Sequence, residues 1–390
     1  MRKIVVISDY HEGSSAQSAR PDRSAQLLKW SCCLNEEEKE GRPETSKLVV
    51  EGGYLERLPL ACVASGLVDK AEIWTHWRSD QPPQQPHSSS FLKRRSFYQN
   101  GTDAPFSSDD MLAHLEVYGP PSVLCVWGLG VDESVLRACR GSFKIYNSID
   151  APALRIPFDV SRHFNLVLTA SQGQSEAVKR RHPNMRTAVL PIGPEFASPS
   201  MFHPLEGPKD YDVIYVAAAQ PYKRHDVLFQ ALNRLPRTVR ALCVFGYGED
   251  AERLRRQANE LRLNIDFVGP PGVSFSDVNR LMNRARIGVV CGVDDGAPAI
   301  LTEYMLAGLP VLANAELRCG LQYINPQTGG VAKAEEFHLG IADMLSRLSD
   351  FSPRAAVERQ WTWEHSIEKL RQLIETSPLK HEEARRLRSV

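Results

Sequence analysis

Short apolar runs separated by amphipathic stretches fill most of the chain. Residues 4–8, 71–77, 123–127, 144–148 and 166–170 have the length and β-rich composition of strands, while 21–34, 55–67, 131–139 and 174–181 carry apolar residues at helical spacing. From Ser198 through Met201, Phe202, His203, Pro204 and Gly207 to Lys209 the periodicity is lost, which predicts an interdomain linker. The alternation then restarts, with strands at 213–217, 241–245, 264–268 and 287–291 and helices at 225–235, 251–261 and 277–285. Strands alternating with helices predict parallel sheets covered on both faces, so the expected class is α/β, with two doubly wound halves joined by one linker.

Candidate chemistry concentrates in residues 294–314. The apolar run 287–291 is broken at Asp295-Gly296, and Pro298 suits the first turn of a helix, where a missing N–H costs nothing. Ile300, Leu301, Tyr304 and Met305 then recur at helical spacing, Gly308 closes the helix, and 309–313 resumes an extended run. Asp295 is thereby expected in a loop and Glu303 in the helix after it, both at the carboxyl edge of a parallel sheet, where open α/β sheets bind ligands. Glu303 reads either as an ordinary helix-surface carboxylate or as the acceptor for a vicinal diol such as a ribose, since a carboxylate takes two hydrogen bonds at once. For Asp295 two readings stand, a turn residue of an Asp-Gly pair and a partner of sugar hydroxyls.

Lys223-Arg224-His225 follows a strand and opens a helix, where the macrodipole is already positive. Either the side chains point into water, or an anion compensates them, and a diphosphate at a helix amino end with a lysine at its lip satisfies the second reading. Gly246-Tyr247-Gly248-Glu249-Asp250-Ala251 imitates a dinucleotide fingerprint, with Asp266 twenty residues beyond Gly246. Glu249 and Asp250 would place negative charge at the pyrophosphate and Asp266 falls inside its strand, so the segment is read as a tight turn. The first strand is followed by a turn with one glycine, Gly13, which also lacks that fingerprint.

Composition narrows the class without naming a function. A chain of 390 residues favours two domains, and 42% hydrophobic with 24% charged residues is ordinary for a soluble protein with sizeable cores. Zero formal net charge gives no field that would draw nucleic acid. The 8 cysteines include no Cys-x-x-Cys pair and mostly sit in apolar runs, which predicts reduced, buried, cytosolic thiols. The longest wholly apolar run, 213–219, is too short to cross a bilayer, and Met1-Arg2-Lys3 leads straight into a strand, leaving no room for a signal peptide. The expected location is cytoplasmic. Residues 81–90 are rich in Pro, Gln and Ser and read as a loop. Phe91 to Tyr98 mixes cations with aromatics, and reads either as a solvated loop edge or as a patch touching an anionic acceptor or the inner membrane face. The second basic cluster, Lys179-Arg180-Arg181-His182, ends a helix, where cations suit the dipole.

Taken together these residues resemble a known family. Asp295-x7-Glu303 within 295–313 is similar to the Glu-x7-Glu signature, followed by Ala-x-Gly-x-Pro-Val, of retaining GT-B glycosyltransferases (glycosyl transferases group 1, family 4-like). The resemblance extends to Lys223 and Asp226, Gly246-x-Gly248, Asp266-Phe267-Val268-Gly269, Thr328-Gly329 and Trp361-Thr362-Trp363-Glu364, and upstream to Ser171, Pro191-Ile192-Gly193 and Phe202. It covers about residues 160–375 well and the earlier part in outline.

The resemblance implies two Rossmann-like domains facing across a cleft: an acceptor-binding domain over 1–203, a donor-binding domain over 204–360, and a helical segment 361–390 crossing back to the first. It assigns Glu303 to the ribose hydroxyls, Lys223 to the diphosphate and Asp295 to the donor sugar, these three forming the catalytic group. The backbone of Gly296, Ala297, Pro298, Ala299, Ile300, Leu301 and Thr302 would line the sugar and phosphates, with Gly246 nearby and Gly13 letting the first loop approach. Three positions depart from the pattern. The first acidic residue is Asp295 where the family has Glu, which shortens its reach. The family's arginine, five residues before Lys223, is Ala218, leaving Arg224 or a first-domain arginine to substitute. The first-domain histidine ahead of an aspartate is replaced by Ile149 before Asp150, with His11 and His76 as positional stand-ins.

The activity so implied is metal-independent, retaining transfer of a hexose-type sugar, without a cofactor, from a UDP-, GDP- or ADP-sugar to a glycan, lipid-linked or small-molecule acceptor, as in polysaccharide biosynthesis. The rivals are a nucleotide-sugar-binding protein without transfer activity, a GT-B-fold sugar-nucleotide epimerase and, last, a nicotinamide oxidoreductase.

Overall fold

Two separate parallel sheets organise the chain in a computed structural model that describes residues 2–12 (9–12 through their backbone alone), 48–78, 89, 91–148, 153–296 and 298–377. The first sheet is built from β1 (Lys3–Glu12), β2 (Lys70–Trp77), β3 (Leu92–Tyr98), β4 (Val123–Trp127), β5 (Phe143–Asn147), β6 (Leu166–Thr169) and β7 (Arg186–Val189), in the order β3-β2-β1-β4-β5-β6-β7. The second contains β8 (Tyr211–Val216), β9 (Ala241–Val244), β10 (Ile265–Val268), β11 (Ala285–Val290), β12 (Val311–Asn314) and β13 (Gly329–Ala332), in the order β10-β9-β8-β11-β12-β13. All strand pairs within both sheets are parallel. The near-continuous apolar strands follow from this layering: in β4, Val123, Cys125 and Trp127 feed one core while Leu124 and Val126 feed the core on the opposite face.

The winding direction reverses between β1 and β4 in the first sheet and between β8 and β11 in the second. Crevices open at such reversals, outside the carboxyl ends of the strands. The loops that leave β8 and β11 are those that carry Lys223 and Asp295.

The helix Trp363–Glu375 packs on the first sheet although it follows the second in sequence. Its Ile367, Leu370 and Ile374 share one core with Leu58, Ala61 and Cys62 of the helix Tyr54–Ala64. Arg371 Nη2 donates to Ser65 O at 2.8 Å and Arg186 Nη1 to Leu373 O at 2.9 Å, which fixes the carboxyl-terminal turns of the returning helix.

Several expectations are corrected. The basic-aromatic segment 91–98 is not a loop edge but contains the edge strand β3, paired with β2 from Ala71↔Leu92 to Trp77↔Tyr98. Its cations are drawn to carboxylates, Arg94 to Glu56 at 2.5 Å and Arg95 to Glu72 at 2.9 Å, and Phe97 is buried. The helices Asp109–Tyr118 and Phe337–Ser346 and the strands β7 and β13 were not anticipated. The expected helix 21–34, most of 81–90, Cys32, Cys33, Ile149 and Asp150 lie outside the described residues. Cys62, Cys125, Cys139, Cys243, Cys291 and Cys319 are free and buried, as expected. Among the described residues no helix is long and apolar enough to cross a membrane.

Candidate functional site

Lys223 ends the short 3₁₀ turn Pro221–Lys223 after β8, and its main-chain carbonyl accepts a hydrogen bond of 2.5 Å from Tyr215 Oη. Lys223 Nζ forms an ion pair with Asp295 Oδ2, with the two side chains 17% and 11% exposed. The approach depends on Gly292, where a Cβ would lie 2.9 Å from Tyr222 O, so a larger residue would push the Asp295 loop off the lysine turn. Lys223 Nζ also lies 4.8 Å from the centre of the Tyr222 ring. The two loops that flank the reversal of the second sheet therefore meet through one cation and one carboxylate.

Arg224 and His225 do not join Lys223 as a triple cation. Arg224, at φ 53°, turns its guanidinium to Asp226 at 3.0 Å, so a local carboxylate compensates it. His225 is buried between Tyr215 and Phe245, with ring centroids 4.8 and 5.3 Å away. Burial, then the neighbouring Lys223, pushes its pKa down to about 4. His225 is thus neutral at pH 7, which corrects its reading as a helix-end cation. The folded state takes up the His225 proton only near pH 4, whereas the unfolded chain takes it up near the ordinary histidine value of about 6.5. Stability is therefore complete above that value and falls as pH drops from 6.5 toward 4. His225→Phe is expected to flatten that part of a pH series of melting temperatures; an unchanged slope would remove this assignment.

The helix that carries Glu303 runs Ile300–Leu306, shorter than expected, with Pro298 in the preceding loop and not in the first turn. Leu301 and Met305 are fully buried in the second domain's core, which turns Glu303 toward the first domain. There it forms an ion pair through Oε1 with Arg57 Nη2, the side chains being 9% and 3% exposed. Arg57 belongs to the first turn of the helix Tyr54–Ala64, and its neighbour Tyr54 accepts a 3.1 Å hydrogen bond from Ala299 N–H. Although 38% of Tyr54 is exposed, its hydroxyl is desolvated; that burial and then the charge of Asp295 hold its pKa well above the usual tyrosine value. Glu303 raises it further, so Tyr54 feels both carboxylates of the pair.

More contacts close the junction. Thr302 Oγ1 donates to Pro194 O at 2.7 Å, and Gln322 Nε2 to Ala170 O at 3.0 Å. Gly193 is wedged between the domains: a Cβ there would lie 2.3 Å from Tyr54 Cε1 and 3.1 Å from Ala299 Cβ. Leu301 N–H is satisfied by Pro298 O at 3.2 Å. Of the expected donor-lining backbone, then, Ala299 and Leu301 have their N–H groups engaged inside the protein, and Gly296 and Pro298 are buried. Gly13 and Ala297 lie outside the described residues. Gly246 precedes a tight turn packed on the β8 loop, with Ala219 N–H donating to Tyr247 O at 2.7 Å and Gly248 at φ 120° leaving no room for a Cβ beside Ala219 O. Asp266 is held inside β10 by Tyr211 and Arg240, in line with the reading of this segment as a turn.

His76 does not stand in for the absent histidine: it is fully buried, bonded through Nε2 to Gly130 O and packed on Phe106. Sequence reasoning missed Gly52-Gly53, Tyr54 and Arg57. The available signal was a glycine pair just before a helix whose first turn carries an arginine among apolar residues.

An α/β fold of two facing parallel-sheet domains, with an acidic loop-helix pair and a lysine at the second domain's reversal point, is the GT-B fold, and solved structures agree. Sucrose-phosphate synthase from Thermosynechococcus elongatus superimposes with a TM-score of 0.69 at 16% identity, over 96% of this chain and 98% of that one. Anabaena HepE, solved with UDP and glucose, does so with a TM-score of 0.63 at 15% identity, over 96% and 100%. Residues 199–350 match the family model Glycosyl transferases group 1. A GDP-mannose-dependent monoacylated alpha-(1-6)-phosphatidylinositol monomannoside mannosyltransferase of Corynebacterium glutamicum is 25% identical over 177 residues, 40% of this chain. The matched region spans 45% of that relative's length.

Proposed function

We propose that the chain is a retaining, metal-independent glycosyltransferase that moves a hexose-type sugar from a nucleotide diphosphate sugar to a glycan, lipid-linked or small-molecule acceptor. The observation that carries this reading is the Lys223–Asp295 pair at the reversal point of the second sheet, followed by Glu303 within the same loop and helix. Residues 204–360 hold the donor and residues 1–203 the acceptor, with 361–390 returning to the first domain.

Lys223 takes the leaving diphosphate, whose charge grows as the C1–O bond to phosphate breaks; a fixed cation aimed at developing charge lowers that barrier. Asp295 keeps the ammonium aimed into the crevice and accepts donor-sugar hydroxyls, and Glu303 accepts those of the pentose. The acceptor oxygen bonds to C1 on the face that the phosphate leaves, and its proton passes to the departing phosphate oxygen, so no enzyme nucleophile is required. Acceptor hydroxyls are assigned to the carboxyl edge of the first sheet, where buried Asn147 Oδ1 and Ser148 Oγ have no hydrogen-bond partner among the described residues. The close packing at Gly193 and Thr302 keeps bulk water from the activated sugar when the domains are together.

A thermal-shift panel of UDP, GDP, ADP and their sugars tests the reading. One nucleotide class is expected to raise the melting temperature, because a ligand of the native state alone stabilises it by about 2.7 kcal/mol at a hundredfold excess over Kd. NMR of the product should then show the donor's anomeric configuration kept. Donor binding with no product for any acceptor would leave a binding protein, and inversion at the sugar's second carbon with donor alone would indicate an epimerase.

A further inference from the structure

We propose that Arg57 is a positioning residue of the donor site, which holds the Glu303 carboxylate so that its second oxygen faces the pentose hydroxyls. The inference rests on the reading of Glu303 as the pentose acceptor and adds to it a residue from the opposite domain.

The setting of Arg57 is hard to explain by stability alone. It is 2% exposed and lies in the first turn of its helix, where the dipole disfavours a cation. A buried ion pair is no better for stability than apolar residues of the same size. Yet the guanidinium is fixed on three sides: Nε donates to Gly52 O at 3.0 Å, Nη1 to Gly193 O at 2.8 Å and Nη2 to Glu303 Oε1. The Phe202 ring lies 5.8 Å from its Cζ. Gly52 and Gly193 belong to the first domain and Phe202 to the segment that leaves it, so the arginine is braced there before it meets Glu303.

Among the described residues Oε1 of Glu303 takes the hydrogen bond from Arg57 and Oε2 accepts none. A carboxylate with one oxygen tied to a rigid planar fork has its other oxygen fixed in direction. The pentose seat is thereby assembled from both domains, complete only when they are together. Among the described residues, neither arginine near this site replaces the one missing at Ala218, since Arg57 serves the Glu303 carboxylate and Arg224 is held by Asp226.

The test compares titration calorimetry of the full chain with a nucleoside diphosphate and with its 2′,3′-dideoxy counterpart, for wild type, Arg57→Ala and Arg57→Lys. Wild type is expected to prefer the natural nucleotide by about tenfold or more, the worth of hydrogen bonds to a charged group. In both variants the preference should fall toward one. Arg57→Lys keeps the charge without the fork and serves where Arg57→Ala does not fold. A merely structural arginine would lower the melting temperature and leave the preference intact, which overturns the proposal; so does tighter binding by either variant, which would make Arg57 a competitor of the pentose. If wild type binds a nucleotide without discrimination, the Glu303 assignment fails, and if it binds none, the donor site fails with it; neither result resembles a preference that survives the variants.

Discussion

Glu303→Ala is expected to cost both stability and donor affinity, and to cost them by separable routes. Removing the carboxylate leaves the Arg57 guanidinium, 2% exposed, facing Glu303's vacated place without its counter-ion. Loss of one partner from a buried ion pair costs about 3–5 kcal/mol, because the remaining charge is neither hydrated nor matched. Chemical denaturation should show that loss as a lower midpoint with an unchanged slope. Independently, the pentose loses its charged acceptor, and nucleotide affinity should fall by about a hundredfold, two hydrogen bonds to a charged group being at stake. Glu303→Gln separates the routes: its amide oxygen still accepts from Arg57 but supplies no counter-charge, so only part of the stability should return while affinity stays low. Unchanged calorimetric affinity in Glu303→Ala would remove Glu303 from the donor site, whatever happened to stability.

The parts of this site that sequence made legible are those that local chemistry determines. Asp295, Glu303 and Lys223 each stand at a boundary between strand and helix, and such boundaries are written in apolar spacing. Once the strands are parallel, topology carries all three to one edge. Leu301 and Met305 take the core of the second domain and leave the Glu303 carboxylate facing the opposite domain, a placement that the apolar neighbours alone do not specify.

What stayed hidden depends on distant pairing. Arg57 and Glu303 lie 246 positions apart, and Tyr54 and Ala299 lie 245 apart; no periodicity links them. The strand β3 reads as a loop edge in the sequence because an edge strand with Arg94 and Arg95 lacks apolar alternation. Its backbone pairs with β2, and Glu56 and Glu72 match its two arginines. Residue type alone makes His225 a cation, yet its position opening the helix places it between Tyr215 and Phe245, where aromatic packing outweighs hydration of a charge. The short helix of Glu303 departs from expectation for a related reason: Pro298 is compatible with a first helical turn but does not compel one, and the loop it occupies is set by the cross-domain contacts of Ala299.

Lys223→Ala is expected to lower kcat by about a hundredfold to a thousandfold, the usual effect of deleting one fixed group aimed at developing negative charge. With Ala218 in place of a second cation, Lys223 has no neighbouring arginine among the described residues to cover its loss, since Arg224 is committed to Asp226. The deletion also frees Asp295, 11% exposed in its side chain, whose uncompensated charge then repels the incoming diphosphate, so KM should rise as well. Lys223→Ala/Asp295→Asn removes that repulsion: KM should recover toward wild type while kcat stays low, because the neutral amide cannot stabilise the leaving group. Lys223→Arg should restore only part of kcat, as a planar fork cannot reproduce the compact ammonium seated over the Tyr222 ring. Single-turnover kinetics with the donor identified by the thermal-shift panel would check the split. If Lys223→Ala turned over at the wild-type rate with only KM changed, the lysine would be a binding group, and departure of the diphosphate would have to be assisted from elsewhere in the crevice.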